Sequence, residues 1–372
     1  MKKTEKQSVD IVLLTAILIL LFIGAVMVYS SSSVWAAYQF DDSFFYLKRQ
    51  LLFVGVGLIA IWVTNKVPYH YWLNMSVWIY LACFLLLIVV LIPGVGLVRG
   101  GAQSWIGVGA FSIQPSEFMK IGLIVLYASL LPKVQKKLSN FTKGFLPILL
   151  LILVPFGLMM LQPDLGTGLV FVCTGILMIF ISGAKIRHFV ILGAVGVAGL
   201  VALIASAPYR INRIYAFLNP WEDPLGDGFQ IIQSLYAIGP GGLMGLGFGN
   251  SMQKYFYLPE PQNDFIFAII AEELGLIGSA FILFLFFVII WRGVLIALHT
   301  EDVSGSLLAF GVTTMIVIQV MINISVVIGL IPVTGITLPL LSYGGSSLTI
   351  TLFALGILLN VSKHSRMAKE VG

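Results

Sequence analysis

The chain has 372 residues, 59% of them hydrophobic and only 10% charged, a balance with too few polar groups to solvate a soluble globule of this size. Its net charge of +5 is concentrated in alternate loops, which makes it a signal of membrane sidedness and gives no argument for a nucleic-acid partner. Cys83 and Cys173 sit in separate apolar runs and supply neither a disulfide framework nor a metal pattern.

A spanning helix takes about 20 apolar residues. Ten runs answer to this, at roughly 11–31, 50–65, 74–93, 114–131, 145–161, 165–183, 188–207, 265–291, 305–328 and 346–361. Barrel-type alternation is absent, and an open sheet edge cannot face lipid. The sequence therefore predicts an all-α polytopic membrane protein, a single domain over 1–372, with a large extracytoplasmic loop at 208–264 between helices 7 and 8. The basic start at Lys2, Lys3 and Lys6 leads straight into further spans and reads as an uncleaved first helix. If both termini are cytoplasmic, the inner loops and tails hold about two thirds of the 21 Lys and Arg, and most of the acids fall on the other side. This is the orientation the positive-inside rule favours. His70, His188, His299 and His364 all fall inside, so proton transfer on the outer side must use a carboxylate or Tyr.

Along the chain, Asp41-Asp42 and Lys48-Arg49 form a short outer loop that reads as a solvated face. The segment from Pro93 to Gln114 is short and irregular, and Pro115 with Glu117 starts a helix. Glu117 and Lys120 share a face at i,i+3, which makes them either an ion pair that orients the helix or a substrate contact. Asp164 in Gln162-Pro163-Asp164 is either the cap of the next helix or a functional carboxylate at the outer rim.

The large loop packs eight charges among aromatics, prolines and glycines, a composition that argues against disorder. Arg210 and Arg213 with Ile211, Ile214 and Leu218 have helical spacing. Asn219 to Gly226 is a turn cluster, and Phe229 to Gly249 ends in glycines that suit closely packed or re-entrant backbone. Asp264 precedes a long apolar helix, either as its cap or as a functional acid. Glu272 lies about 80° round that helix from Asp264 and could share a cavity with it, while Glu273 would face another helix. The stretch from Gly329 to Ser347 is apolar yet full of helix breakers, as expected of a broken segment lining a cavity.

Taken together, these residues resemble the FtsW/RodA/SpoVE family. The resemblance rests on Gln114-Pro115-Ser116-Glu117, Gln162-Pro163-Asp164-Leu165-Gly166-Thr167, Asn219-Pro220-Trp221-Glu222-Asp223-Pro224, Gln233-Ser234, Asp264-Phe265-Ile266-Phe267, Ala271-Glu272-Glu273-Leu274-Gly275 and Ser342-Tyr343-Gly344-Gly345-Ser346-Ser347. The short tails and the Asn219–Gly242 stretch look nearest the sporulation branch, then the division branch. Ser104 stands where many members carry Arg, leaving Arg99 as the cation of that loop.

The resemblance implies a bacterial cytoplasmic-membrane glycosyltransferase that polymerises lipid II into β-1,4-linked glycan on the outer face, in division or sporulation. A class B penicillin-binding transpeptidase is the implied partner, and Asp264 the implied essential carboxylate. Inversion from an α-linked diphosphate needs one base and positive charge for the leaving group. Asp264 is the candidate base, and Arg210, Arg213 and Lys254 are candidate diphosphate contacts. Arg99, Glu117, Lys120, Asp164, Gln233, Ser234, Glu272 and Ser342 are further candidate substrate contacts. A divalent Mg or Mn ion held by Asp264, Asp164 or Glu117 would neutralise the leaving group, and no organic cofactor is expected. Two competing readings are a lipid II flippase or other transporter, in which Glu272-Glu273 and the broken segment would line the path, and a non-catalytic scaffold for a transpeptidase.

Overall fold

In the computed structural model, which describes residues 9–99, 102–108, 111–205, 217–226 and 228–365, each of the ten expected spans is a helix. They are α1 (Ile11–Phe40), α2 (Phe45–Lys66), α4 (Ser76–Val89), α5 (Pro115–Val134), α6 (Leu146–Leu161), α7 (Leu165–Ile181), α8 (Ile186–Ala205), α10 (Ile266–His299), α11 (Val303–Val327) and α12 (Gly345–Ser362). Two shorter helices, α3 (Tyr69–Asn74) and α9 (Phe229–Gly241), complete the helical set among the described residues, apart from short 3-10 and π turns. Six of the stretches are long and apolar enough to cross a membrane, and α4, α7 and most of α8 are shorter apolar helices. The fold is that of a multi-pass α-helical membrane protein.

Several boundaries move for local reasons. Expected to stop near residue 31, α1 runs on to Phe40. Its serines do not break it because their hydroxyls turn back onto carbonyls a turn below: Ser32 Oγ donates to Val28 O at 2.6 Å. The helix stops at Asp41, whose left-handed backbone (φ 54°) lets its N–H reach Ala37 O. The segment expected to be irregular is instead a small antiparallel sheet of β1 (Gly96–Arg99), β2 (Ala102–Val108) and β3 (Phe111–Ile113), in that order. The register pairs Arg99 with Ala102 and Val108 with Phe111.

Among the helices, α11 is central, with α5, α7, α10 and α12 packed round it. The most extensive helix–helix contact is between α2 and α12. There a Cβ at Gly356 would collide with Thr64 and with the Ile61 backbone, the small-residue contact that lets two membrane helices approach.

The long helix α10 is broken. Gly275 has φ 66° and ψ −165°, which interrupts the i→i−4 ladder. The freed groups are taken up by the glycine-rich loop after α9: Leu246 N donates to Glu272 O at 2.9 Å and Gly247 N to Glu273 O at 3.0 Å. In return Leu276 N donates to Gly242 O at 2.9 Å and Ile277 N to Leu243 O at 3.1 Å. The expectation of closely packed backbone in this glycine run holds, because irregular backbone at membrane depth survives only with internal partners.

Candidate functional site

Five helix N-termini gather on one face. Gln114, just before α5, donates its Nε2 to Asp164 Oδ2 at 2.9 Å, and its backbone N–H reaches Ser346 Oγ in α12 at 3.2 Å. Ser116 Oγ also donates to Asp164 Oδ2, at 2.7 Å, while Asp164 Oδ1 caps α7 by accepting from Thr167 N at 3.2 Å. Tyr343 N, ahead of α12, donates to Gln262 O, ahead of α10, at 2.8 Å. Gln50 of α2 donates to Ser342 O at 3.3 Å. Each N-terminus brings unpaired N–H groups and a positive dipole end, so the face favours anions.

Most of the sequence-predicted side chains on this face are engaged by protein groups. Glu117 and Lys120 are buried and paired at 2.9 Å. Asp164 has the cap role with two further donors. Lys254 is buried and turned inward, onto Gly249 O and, at 3.5 Å, Glu273 Oε1. Glu272 takes Ser251 Oγ at 2.6 Å and Met252 N at 2.8 Å, so its carboxylate holds the 251–254 turn. Glu273 does face another helix, accepting Ser30 Oγ of α1 at 2.7 Å. Ser234 is fully buried and donates to Val327 O at 2.7 Å, which ties α9 to the end of α11. Ser342 Oγ accepts from Leu338 N at 2.8 Å inside the broken segment. Gln233 on α9 is half-buried. Arg210 and Arg213 lie outside the described residues, and of Arg99 only the β1 backbone is described.

Asp264 is different. It does not cap α10: the cap position is Phe265, with no side-chain cap bond. Its carboxylate, partly exposed, accepts nothing from another described residue. Deep placement among protein atoms pushes it up to about 6 from an ordinary 3.8, its own backbone N–H pulls it down, and the nearby Glu260 carboxylate adds a smaller upward push. The backbone at Asp264 is fixed from α11. Asn323 Nδ2 donates to Asp264 O at 2.7 Å and to Ile336 O of the broken segment at 2.8 Å. Asn323 was not among the expected residues, yet an amide in the middle of an apolar helix is costly unless partnered, and that cost was the available signal. Three acceptors at this place are buried without a protein donor: Gln262 Oε1, Asn263 Oδ1 and Asn323 Oδ1.

The proposed metal carboxylates do not form one ligand set. Asp164 is occupied by Gln114, Ser116 and the α7 cap, Glu117 by Lys120, and among the described residues no three His, Cys, Asp or Glu side chains group as a metal site.

Fold and site together define a polytopic membrane protein with a half-buried carboxylate, unengaged by any other described residue, on an anion-favouring face. The chain belongs to the FtsW/RodA/SpoVE family of cell cycle proteins, which matches residues 11–367. It is 61% identical to stage V sporulation protein E of Bacillus subtilis (strain 168), over 98% of this chain and 99% of the relative. It is 43% identical to a probable peptidoglycan glycosyltransferase FtsW of Geobacter sp. (strain M18), over 97% and 99%. A solved chain from a peptidoglycan synthase complex, described for its coordination of polymerization and crosslinking, superposes with a TM-score of 0.79 at 32% identity, over 95% of this chain and 98% of that one.

Proposed function

We propose that the chain is an inverting peptidoglycan glycosyltransferase that polymerises lipid II on the outer face of the bacterial cytoplasmic membrane, with both termini cytoplasmic and Asp264 as general base. The glycosyltransferase names of the relatives support the reaction class. The observation that carries the site is that Asp264, alone among the buried or half-buried carboxylates described on its face, accepts no donor from another described residue, whereas Asp164, Glu117, Glu272 and Glu273 are all engaged. A carboxylate near 6 is ionised at neutral pH yet basic enough to take a proton in the transition state.

In the step itself, the acceptor 4-hydroxyl oxygen bonds to the donor C1 as the C1–O bond to the diphosphate breaks from the opposite side. The hydroxyl proton passes to Asp264, and the diphosphate leaves with the bonding pair. Gln262 Oε1, Asn263 Oδ1 and Asn323 Oδ1 offer acceptors for sugar hydroxyls, since buried acceptors require donors. A divalent Mg or Mn ion, if bound beside the diphosphate, would neutralise the leaving group, and among the described residues no three carboxylate, His or Cys side chains group to hold it. Similarity to a chain of a peptidoglycan synthase complex supports a crosslinking partner, which we assign as a class B penicillin-binding transpeptidase. The transporter reading loses its principal residues, because Glu272 and Glu273 are bound to the 251–254 turn and to Ser30.

The test gives purified protein, with and without such a partner, labelled lipid II and a divalent cation, and resolves polymer on a gel. Wild type is expected to polymerise, and a folded Asp264→Asn protein to fall by about 10²-fold or more. Equal polymer from both would remove Asp264 from the reaction.

A further inference from the structure

We propose that Arg49 binds the diphosphate of the lipid-linked substrate, a role that rests on the polymerase reading and names its anion contact. The described lysines on the site face are already paired. Lys48 is paired with Asp42 at 2.8 Å on the exposed rim, Lys120 with Glu117, and Lys254 with Glu273. Arg49 makes no ion pair with any described residue. The sequence placed it with Lys48 on a solvated face, but in the structure it is half-buried in the second turn of α2.

The guanidinium carbon lies 4.2 Å from the Phe45 ring centroid, a cation–π contact, and Phe45 stacks on Phe40 at the end of α1. That contact takes up no hydrogen-bond acceptor, and no described residue accepts from the guanidinium N–H groups, the donors that grip phosphate two bonds at a time. Tyr46, three residues earlier on the same side of the helix, packs edge-on to Tyr343 with centroids 5.0 Å apart. The Tyr343 N–H in turn holds Gln262 O, two residues before Asp264. Arg49 and Glu260 both lie close enough to Tyr46 to act electrostatically on its hydroxyl. Through Tyr46 and Tyr343, the guanidinium, unpaired among the described residues, is linked to the loop that carries the base. A leaving diphosphate needs positive charge at that place.

Arginine at a membrane rim also meets the phosphates of bulk lipid, so the test separates the two sources. Full-length protein in phosphatidylcholine nanodiscs is titrated with undecaprenyl diphosphate and with undecaprenol. Arg49→Gln is expected to weaken diphosphate binding about tenfold or more, with Arg49→Lys between it and wild type. Undecaprenol should not distinguish the variants. In the polymer assay Arg49→Gln should raise the KM for lipid II. Unchanged diphosphate binding by a folded Arg49→Gln protein overturns the proposal. If Asp264→Asn polymerises normally while Arg49→Gln still loses diphosphate affinity, it is the base assignment that fails. A measurement on wild type covers the case in which the variants do not fold. Phenylglyoxal modification of Arg49, followed by peptide mapping, should be slowed by undecaprenyl diphosphate and not by added phosphatidylglycerol. Equal protection by both lipids would assign Arg49 to bulk headgroups and overturn the proposal.

Discussion

At the scale of single residues, the site contrasts carboxylates that are used up with one that is not. Asp264 sits near 6 because its surroundings favour the neutral acid, and this has consequences for both activity and stability. As a base it must be ionised, so kcat/KM should rise with pH through about 6 and level off, with activity at pH 5 near a tenth of the plateau. For folding the sign is opposite. The folded pKa is above the unfolded one, so the protonated acid contributes stability that is fully present below 3.8 and lost as pH rises through about 6. Asp264→Asn should therefore raise the unfolding temperature at pH 7.5 and leave it nearly unchanged at pH 4. An Asn variant that is less stable at pH 7.5 would show that the carboxylate has a partner supporting the fold. The buried Glu117–Lys120 pair makes a different prediction. Lys120→Met leaves an uncompensated carboxylate and should cost about 3–5 kcal/mol, much of it recovered by adding Glu117→Gln. Thermal unfolding of the two singles and the double measures this. Additive losses in the double would mean that the two charges act independently.

At the scale of elements, the instructive part is the broken helix α10. Gly245 has φ 78°, and a Cβ there would run into Glu273 O. Gly245→Ala should therefore cost well over the ~1 kcal/mol of an ordinary substitution and loosen the turn that Glu272 and Glu273 hold. Limited proteolysis within 242–254 would report it, and an unchanged cleavage rate would contradict the packing. Much of this was legible beforehand. Ten apolar runs became ten helices, and the glycine run was read as close-packed backbone. A lone carboxylate at the mouth of a span was legible too. The remainder depended on partners far apart in the chain. The hold of Asn323 on Asp264 spans 59 residues and leaves no local period. Ser30–Ser33 looked like a helix end because hydroxyl back-bonding does not appear in a hydropathy profile. Arg49 looked solvated because its neighbour Lys48 is, and only folding placed one at the rim and the other against Phe45.

For the whole molecule, charge and architecture point the same way. The face that collects the N-termini of α2, α5, α7, α10 and α12 also collects Glu117, Asp164, Glu260 and Asp264, whereas Lys66, Lys133, Lys136, Lys137, Lys143, Lys185, Arg187, Arg292 and Lys363 lie toward the other ends of the helices. The first of these faces carries most of the acids and suits anions through backbone dipoles. The second carries the basic excess that, in the proposed orientation, stays with the cytoplasm. Its helix ends are cross-tied, Arg292 to Asp10 at 2.6 Å and Lys363 Nζ to Asn65 O at 2.6 Å. The orientation can be read directly with cysteines. Cys83 is buried and Cys173 partly so, both within helices. A cysteine at Leu225, 88% exposed, should react with a membrane-impermeant maleimide on intact cells. One at Ser139, between α5 and α6, should react only after permeabilisation. The reverse pattern would put Asp264 in the cytoplasm, where its product could not join the wall, and would remove the polymerase assignment along with the topology.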